Sequence, residues 1–247
     1  MDDDQAAEGG DRGPSIPFSA AEEPCTLNAE SLERIVTEYR ILPRTRLRLP
    51  GPDERACSPL EEGEVCFFEC AFRAGLRFPL PPFIREFFNF WGIAPGQMSP
   101  NGWRILVGCL ALWEVVHERP ITLSEFFTCY RPSELHVGYA NLSAHKGLAL
   151  VEGLPSSNKH WKGKFFFVSG HEWEMSEEER RGVAPVRVPR AWSRPPTDNR
   201  AVVDVTAKEA KAAIQKALAY QHRDWATLAG LDGQGNGFLN PVISRVI

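Results

Sequence analysis

FPLPPFIREFFNFWGIAPGQMSPNGWRILVGCLALWEVVHERPITLSEFF, residues 78–127, decides the fold. Large apolar side chains crowd between clear start and stop signals. Pro81 and Pro82 can open a helix, because a proline at the first helical position lacks only a donor that has no partner there. Phe83, Phe87, Phe88 and Trp91 then recur at helical spacing, and Gly92 can take the left-handed conformation that stops a helix. Ser99 and Pro100 start a second helix, the serine as cap and the proline at its first turn. That helix is apolar on two faces. Trp103, Leu106, Val107, Leu110 and Trp113 form one, and Ile105, Cys109, Leu112 and Val116 the other, so neighbours should bury it on several sides. It is too short for a membrane span of roughly 20 apolar residues, and Arg104 and Glu114 also oppose lipid. Pro120 should end it. Thr122 and Glu125 have the spacing of a capping box for a third helix, about Leu123 to Tyr130, which Pro132 closes.

Upstream, residues 1–24 read as a disordered acidic tail, with many carboxylates against a single Arg12. Leu32, Ile35, Val36 and Tyr39 share a helical face that Asn28 or Ser31 can cap. Arg44, Arg46 and Arg48 alternate in an extended linker, either as a solvated loop or as a strip for phosphates. The run VCFFECAF, residues 65–72, is expected to be helical, with Gly75 as its stop.

Downstream, Lys164 to Val168 is rich in strand formers and Pro155 to Asn158 is turn material. The expected fold is α+β and mainly helical: a compact helical core with a small antiparallel sheet or hairpin packed on it. Residues 25–192 form the globular domain, and 193–247 hold a linker, an alanine-rich helix and a loose C-terminus. That helix opens at the capping box Thr206–Glu209 and runs to about Tyr220. Its apolar face of Ala210, Ala213, Ile214 and Ala217 is thin, so it should dock weakly or pair with a partner.

The 247 residues suffice for one or two domains, and the net charge of -4 argues against a chain that binds nucleic acid over its whole surface. Six scattered cysteines and an acidic start, unlike a secretory or organelle signal, suggest reduced thiols in an intracellular protein.

Three segments together carry a family resemblance: AFRAGLRFPLPPF from Ala71, GIAPGQMSPNGWRILVG from Gly92, and GLPSSNKHWKGKFFFV from Gly153. In their order and spacing they resemble the plant gypsy-type transposon domain family, whose members accompany retrotransposons. The resemblance runs from about Leu32 to Trp192. Pro81 departs from it, standing where the family pattern has histidine. The resemblance implies a retrotransposon-derived origin and carries no activity, cofactor or site.

No enzyme signature stands out. A polymerase needs clustered aspartates for two metals, an aspartic protease needs Asp-Thr-Gly or Asp-Ser-Gly, and neither pattern occurs. Cys66 and Cys70 are four apart, but no histidine is paired with them at zinc-site spacing, so both read as small buried hydrophobes. No metal or other cofactor is expected. One strip is suggestive: Lys146, Lys159, Lys162 and Lys164 lie around Trp161 and three phenylalanines, and basic residues among aromatics can hold phosphates and stack bases. The sequence thus predicts a non-enzymatic domain for protein–protein contact or self-association, with no membrane contact. The alternatives are a nucleic-acid-binding module built on that strip, and a degenerate transposase or nuclease, which requires carboxylates clustered in a cleft.

Overall fold

The computed structural model describes residues 18–182, 185–195 and 208–230, and phenylalanines from two strands meet at its centre. Strand β2, Val65–Phe68, pairs with β5, Phe165–Gly170, and β5 also pairs with β1, Thr45–Arg48. The sheet is antiparallel with the order β1-β5-β2. Phe165 through Val168 are all buried, so both faces of β5 are covered. On one face Phe67 stands opposite Phe166. The Phe67 ring meets Phe72, Phe78, Trp103 and Trp173 at centroid separations of 5.3 to 6.3 Å. On the other face Phe68 meets Phe165 at 5.8 Å and Trp161 at 4.9 Å.

The helices begin and end as local chemistry dictates. In α1, Ala29–Glu38, the Asn28 side chain accepts the Ser31 N–H at 2.9 Å. Helix α2, Glu69–Arg73, follows β2 without a break. Helix α3, Pro82–Trp91, ends where Gly92 takes φ 65°. Helix α4, Pro100–His117, opens with the Ser99 hydroxyl accepting the Gly102 N–H at 3.1 Å. It stops at Glu118, φ 54°, before Pro120 is reached. Helix α5, Leu123–Cys129, has the Thr122–Glu125 capping box with both reciprocal bonds. Its end runs straight into β3, Tyr130–His136, which pairs with β4, Tyr139–Ala144, as a two-stranded ribbon. Pro132 therefore lies within a strand rather than after a helix, as an edge position permits. The ribbon is tied to α4 by the Ser99 N–H, donated to the Ala140 carbonyl at 2.8 Å.

The architecture is α+β, as the sequence suggests. Helix replaces strand wrongly in one place: residues 65–72 are half strand and half helix. Four residues are too few to show a period, and pairing with β5 decides their conformation. Arg46 and Arg48 are extended as expected but belong to the edge strand β1, and Arg44 lies in the turn that precedes it.

Segments read as peripheral also pack. Within the stretch assigned to the acidic tail, Ala20 is fully buried, Phe18 lies 5.7 Å from Trp192, and the Ser19 N–H bonds the Val137 carbonyl at 3.0 Å. The remainder of that stretch, 1–17, lies outside the described residues. Beyond α6, Glu177–Arg181, the chain reaches α7, Lys208–Leu218, and α8, Trp225–Leu228. The face Ala213, Ile214 and Ala217 of α7 is buried, and the Lys216 ammonium donates to the Val116 carbonyl at the end of α4 at 2.7 Å. The alanine-rich helix thus docks on its own chain. Thr206 and residues 231–247 lie outside the described residues.

Because Phe67 is fully buried among four aromatic rings, Phe67→Ala should lower the unfolding free energy by about 3–5 kcal/mol. Urea denaturation followed by tryptophan fluorescence reads that change.

Candidate functional site

Where β2 passes into α2, Glu69 is buried, and its surroundings define a basic cleft. A carboxylate at 1% exposure must be paired to remain charged. One oxygen meets Arg34 at 3.3 Å and Arg73 at 3.1 Å, and the other meets the Lys164 ammonium at 3.7 Å. The last distance is a charge contact without a hydrogen bond, so the ammonium keeps its donors available. The Glu69 N–H also donates to the Lys164 carbonyl at 2.9 Å, which fastens the segment before β5 to the start of α2.

Next to this cluster is a cleft of about 380 Å³. Arg73 comes from α2, Arg104 and Pro100 from the first turns of α4, and Lys159, His160 and Lys164 from the segment before β5. Four permanent cations face one carboxylate that is already engaged. The N-terminus of α4 adds the positive end of an 18-residue helix dipole.

Arg104 is the most firmly placed of these cations. Its Nη1 donates to Asn101 Oδ1 at 2.8 Å and to Asn158 Oδ1 at 2.7 Å. Its guanidinium lies 4.7 Å from the Trp225 ring centre, so α8 supports it from below. Burial pushes its pKa down from the usual arginine range. Asn101 also donates to the Pro155 carbonyl at 2.9 Å and so pins the preceding turn to α4. Cys70 lines the same cleft with its thiol pushed up to about 12 by burial, which keeps it protonated and inert at neutral pH.

The residues of the predicted strip separate. Lys159 and Lys164 line the cleft. Lys162 faces an adjoining basin of about 560 Å³ and lies 5.4 Å over the Tyr139 ring. Lys146 is exposed in the turn after β4 and borders neither space. Trp161 is only 8% exposed, with its ring edge-to-face on Phe68 at 4.9 Å and Tyr139 at 5.1 Å. It packs mainly in the core and presents only an edge to the two spaces. Sequence reasoning missed Arg73 and Arg104. They lie far from the lysines along the chain, and only the packing of α2 and α4 brings them there.

Of the alternating arginines, Arg48 is held by hydrogen-bonded carboxylates, whereas Arg44 and Arg46 are exposed and make only loose charge contacts. Arg48 bonds Glu54 at 2.6 Å and also Glu64, Arg46 meets Glu61 at 3.5 Å, and Arg44 meets Glu172 and Glu177 at 3.8 Å each. The spacing of Cys66 and Cys70 is not helical, since Cys66 lies in β2 and Cys70 in α2. Among the described residues no three His, Cys, Asp or Glu side chains stand together as a metal site, and no helix is long and apolar enough to cross a membrane.

The fold and this cleft define an α+β domain with a cationic recess. Residues 65–132, from β2 into β3, match the model of the family described as "Putative gypsy type transposon". The resemblance read from the sequence is therefore found by direct comparison over this segment, which includes Arg73 and Arg104. An uncharacterised protein of Arabidopsis thaliana, named as chloroplastic, is 32% identical over 127 residues. These make up 50% of this chain and 16% of that relative, so the chain spans a small part of the relative's length. No solved structure matches the chain.

The acids that hold Arg48 set a pH dependence. The Arg48 guanidinium keeps the Glu54 carboxyl at about 2, below its ordinary 4.5. A depressed carboxylate stabilises the fold above its unfolded pKa and loses that contribution as pH falls toward the folded value. Unfolding free energy should therefore drop by on the order of 2 kcal/mol between about pH 5 and pH 2 on this account. Glu54→Gln should be less stable at neutral pH and lose less on acidification, as urea midpoints across pH would show.

Proposed function

We propose that this transposon-related domain is a non-enzymatic module that binds nucleic acid through the basic cleft. The observation that carries this reading is the convergence of Arg73, Arg104, Lys159 and Lys164 from three separate segments onto one recess of a chain whose net charge is -4. Local positive charge against an acidic background concentrates polyanions at that place. Arginine and lysine together supply both forked and point-charge donors for phosphate oxygens. The lining supports binding rather than cleavage: its single carboxylate, Glu69, is held by three cations, whereas two-metal cleavage needs several carboxylates directed at the reacting phosphate. We place the protein inside the cell, where its thiols stay reduced.

Binding of labelled DNA and RNA, titrated across salt, tests this. With about four phosphates neutralised, the log–log slope should be near -3 for a single strand. Lys159→Glu, at an exposed position, should weaken binding and flatten the slope. No binding at low salt would reject the reading.

Protein–protein contact, the first expectation from the sequence, rests on another surface. Between α1 and β1 lies a groove of about 760 Å³ lined by Leu32, Val36, Leu47 and Leu49, with Val36 39% exposed. If copies of the chain meet there, sedimentation should shift with concentration, and Val36→Glu should abolish the shift. A concentration-independent monomer would remove this second reading.

A further inference from the structure

We infer that the nucleic acid held by this domain is single-stranded and that it passes over His160, whose ring stacks a base. This rests on the nucleic-acid reading above and adds what form of ligand the cleft takes.

His160 stands where two spaces meet. Together with Asn158, Trp161 and Lys164 it lines both the basic cleft and the adjoining basin. The two spaces differ in charge. The cleft holds Arg73, Arg104 and Lys159. The basin adds Lys162 with the Glu23 carboxylate and the Thr26 hydroxyl, so it carries less positive charge than the cleft. A phosphodiester suits the first, and an uncharged base edge suits the second. Trp161 and Lys162 are turned toward Tyr139, so His160 is the aromatic ring exposed between the two spaces.

The backbone gives a second, independent reason. Three non-glycine residues have positive φ among those described: Arg40 at 51°, Glu118 at 54° and His160 at 57°. Arg40 and Glu118 follow the ends of α1 and α4, where the left-handed conformation terminates a helix. His160 ends no helix. The conformation is uncommon for a residue with a Cβ, histidine being among those that adopt it most readily, and its neighbours are fixed in place. Those neighbours are Asn158, bonded to Arg104, and the buried Trp161. The imidazole is exposed while the next side chain, Trp161, is buried. An exposed aromatic ring beside a cationic recess is the arrangement that stacks unpaired bases. A duplex keeps its base faces inside and offers the ring nothing to stack on.

The test uses the full chain and short labelled oligonucleotides of about ten nucleotides: a single strand, the same sequence as duplex, and an abasic single strand. Fluorescence anisotropy should show the base-bearing strand bound about ten-fold more tightly than the duplex. His160→Gly removes the ring and relieves the positive φ, so it should fold at least as well as the parent, which thermal unfolding checks. It should lose about ten-fold on the base-bearing strand and little on the abasic one. His160→Tyr keeps an aromatic ring and should restore most of the loss. Equal affinity for duplex and single strand, or an equal loss on the abasic strand, overturns the inference while leaving nucleic-acid binding in place. If no oligonucleotide binds, the broader reading falls and this inference with it.

Discussion

The buried carboxylate of Glu69 is the constraint from which both the local fold and the cleft follow. Its position at the first residue of α2 is favourable in itself, because an acid there meets the positive end of the helix. Yet a charge taken out of water must be compensated nearby. Arg34 of α1, Arg73 of α2 and Lys164 before β5 supply that compensation. Three positive charges around one negative charge leave a surplus, and the surplus lies at the surface, where Arg73 and Lys164 are 54% and 38% exposed. The requirement that stabilises Glu69 therefore also makes the cleft cationic.

The cleft is firm because its floor is core. Trp161 packs edge to face on Phe68 and Tyr139 beneath the segment that carries Lys159 and His160. Arg104 is fixed between two asparagines and the Trp225 ring. The buried Gln97 ties the neighbouring parts: its amide bonds Ala94, Gly138 and Ser193, and so joins the α3–α4 turn, the β3–β4 turn and the chain beyond Trp192. A satisfied buried amide of this kind gives register that apolar packing alone does not. Residues 208–230 matter to the cleft for the same reason, since α8 provides the ring under Arg104.

The family segment, 65–132, supplies β2, the buried helices and two arginines of the recess. The lysines and His160 come from outside it. The recess thus combines residues inside the matched segment with residues that follow it, and the ligand preference proposed for it depends on both.

The sequence by itself determined the elements whose signals are local. Helices α3, α4 and α5 could be located because prolines, Ser99, Gly92 and the Thr122–Glu125 box act on the backbone within a turn. Strand β5 was legible from its β-forming phenylalanines, and Lys159 and Lys164 from their closeness along the chain. Tertiary structure decided the rest. Val65–Phe68 became a strand because β5 offered its free edge, and helical spacing at Cys66 and Cys70 disappeared with it. Trp161 left the surface because Phe68 and Tyr139 gave its ring a better environment than water. Arg73 and Arg104 joined the site because α2 packs on α4 and both meet the segment before β5. Charge and burial at a point in space depend on which distant segments converge there, and that convergence is settled by packing a shared core, not by any run of neighbouring residues.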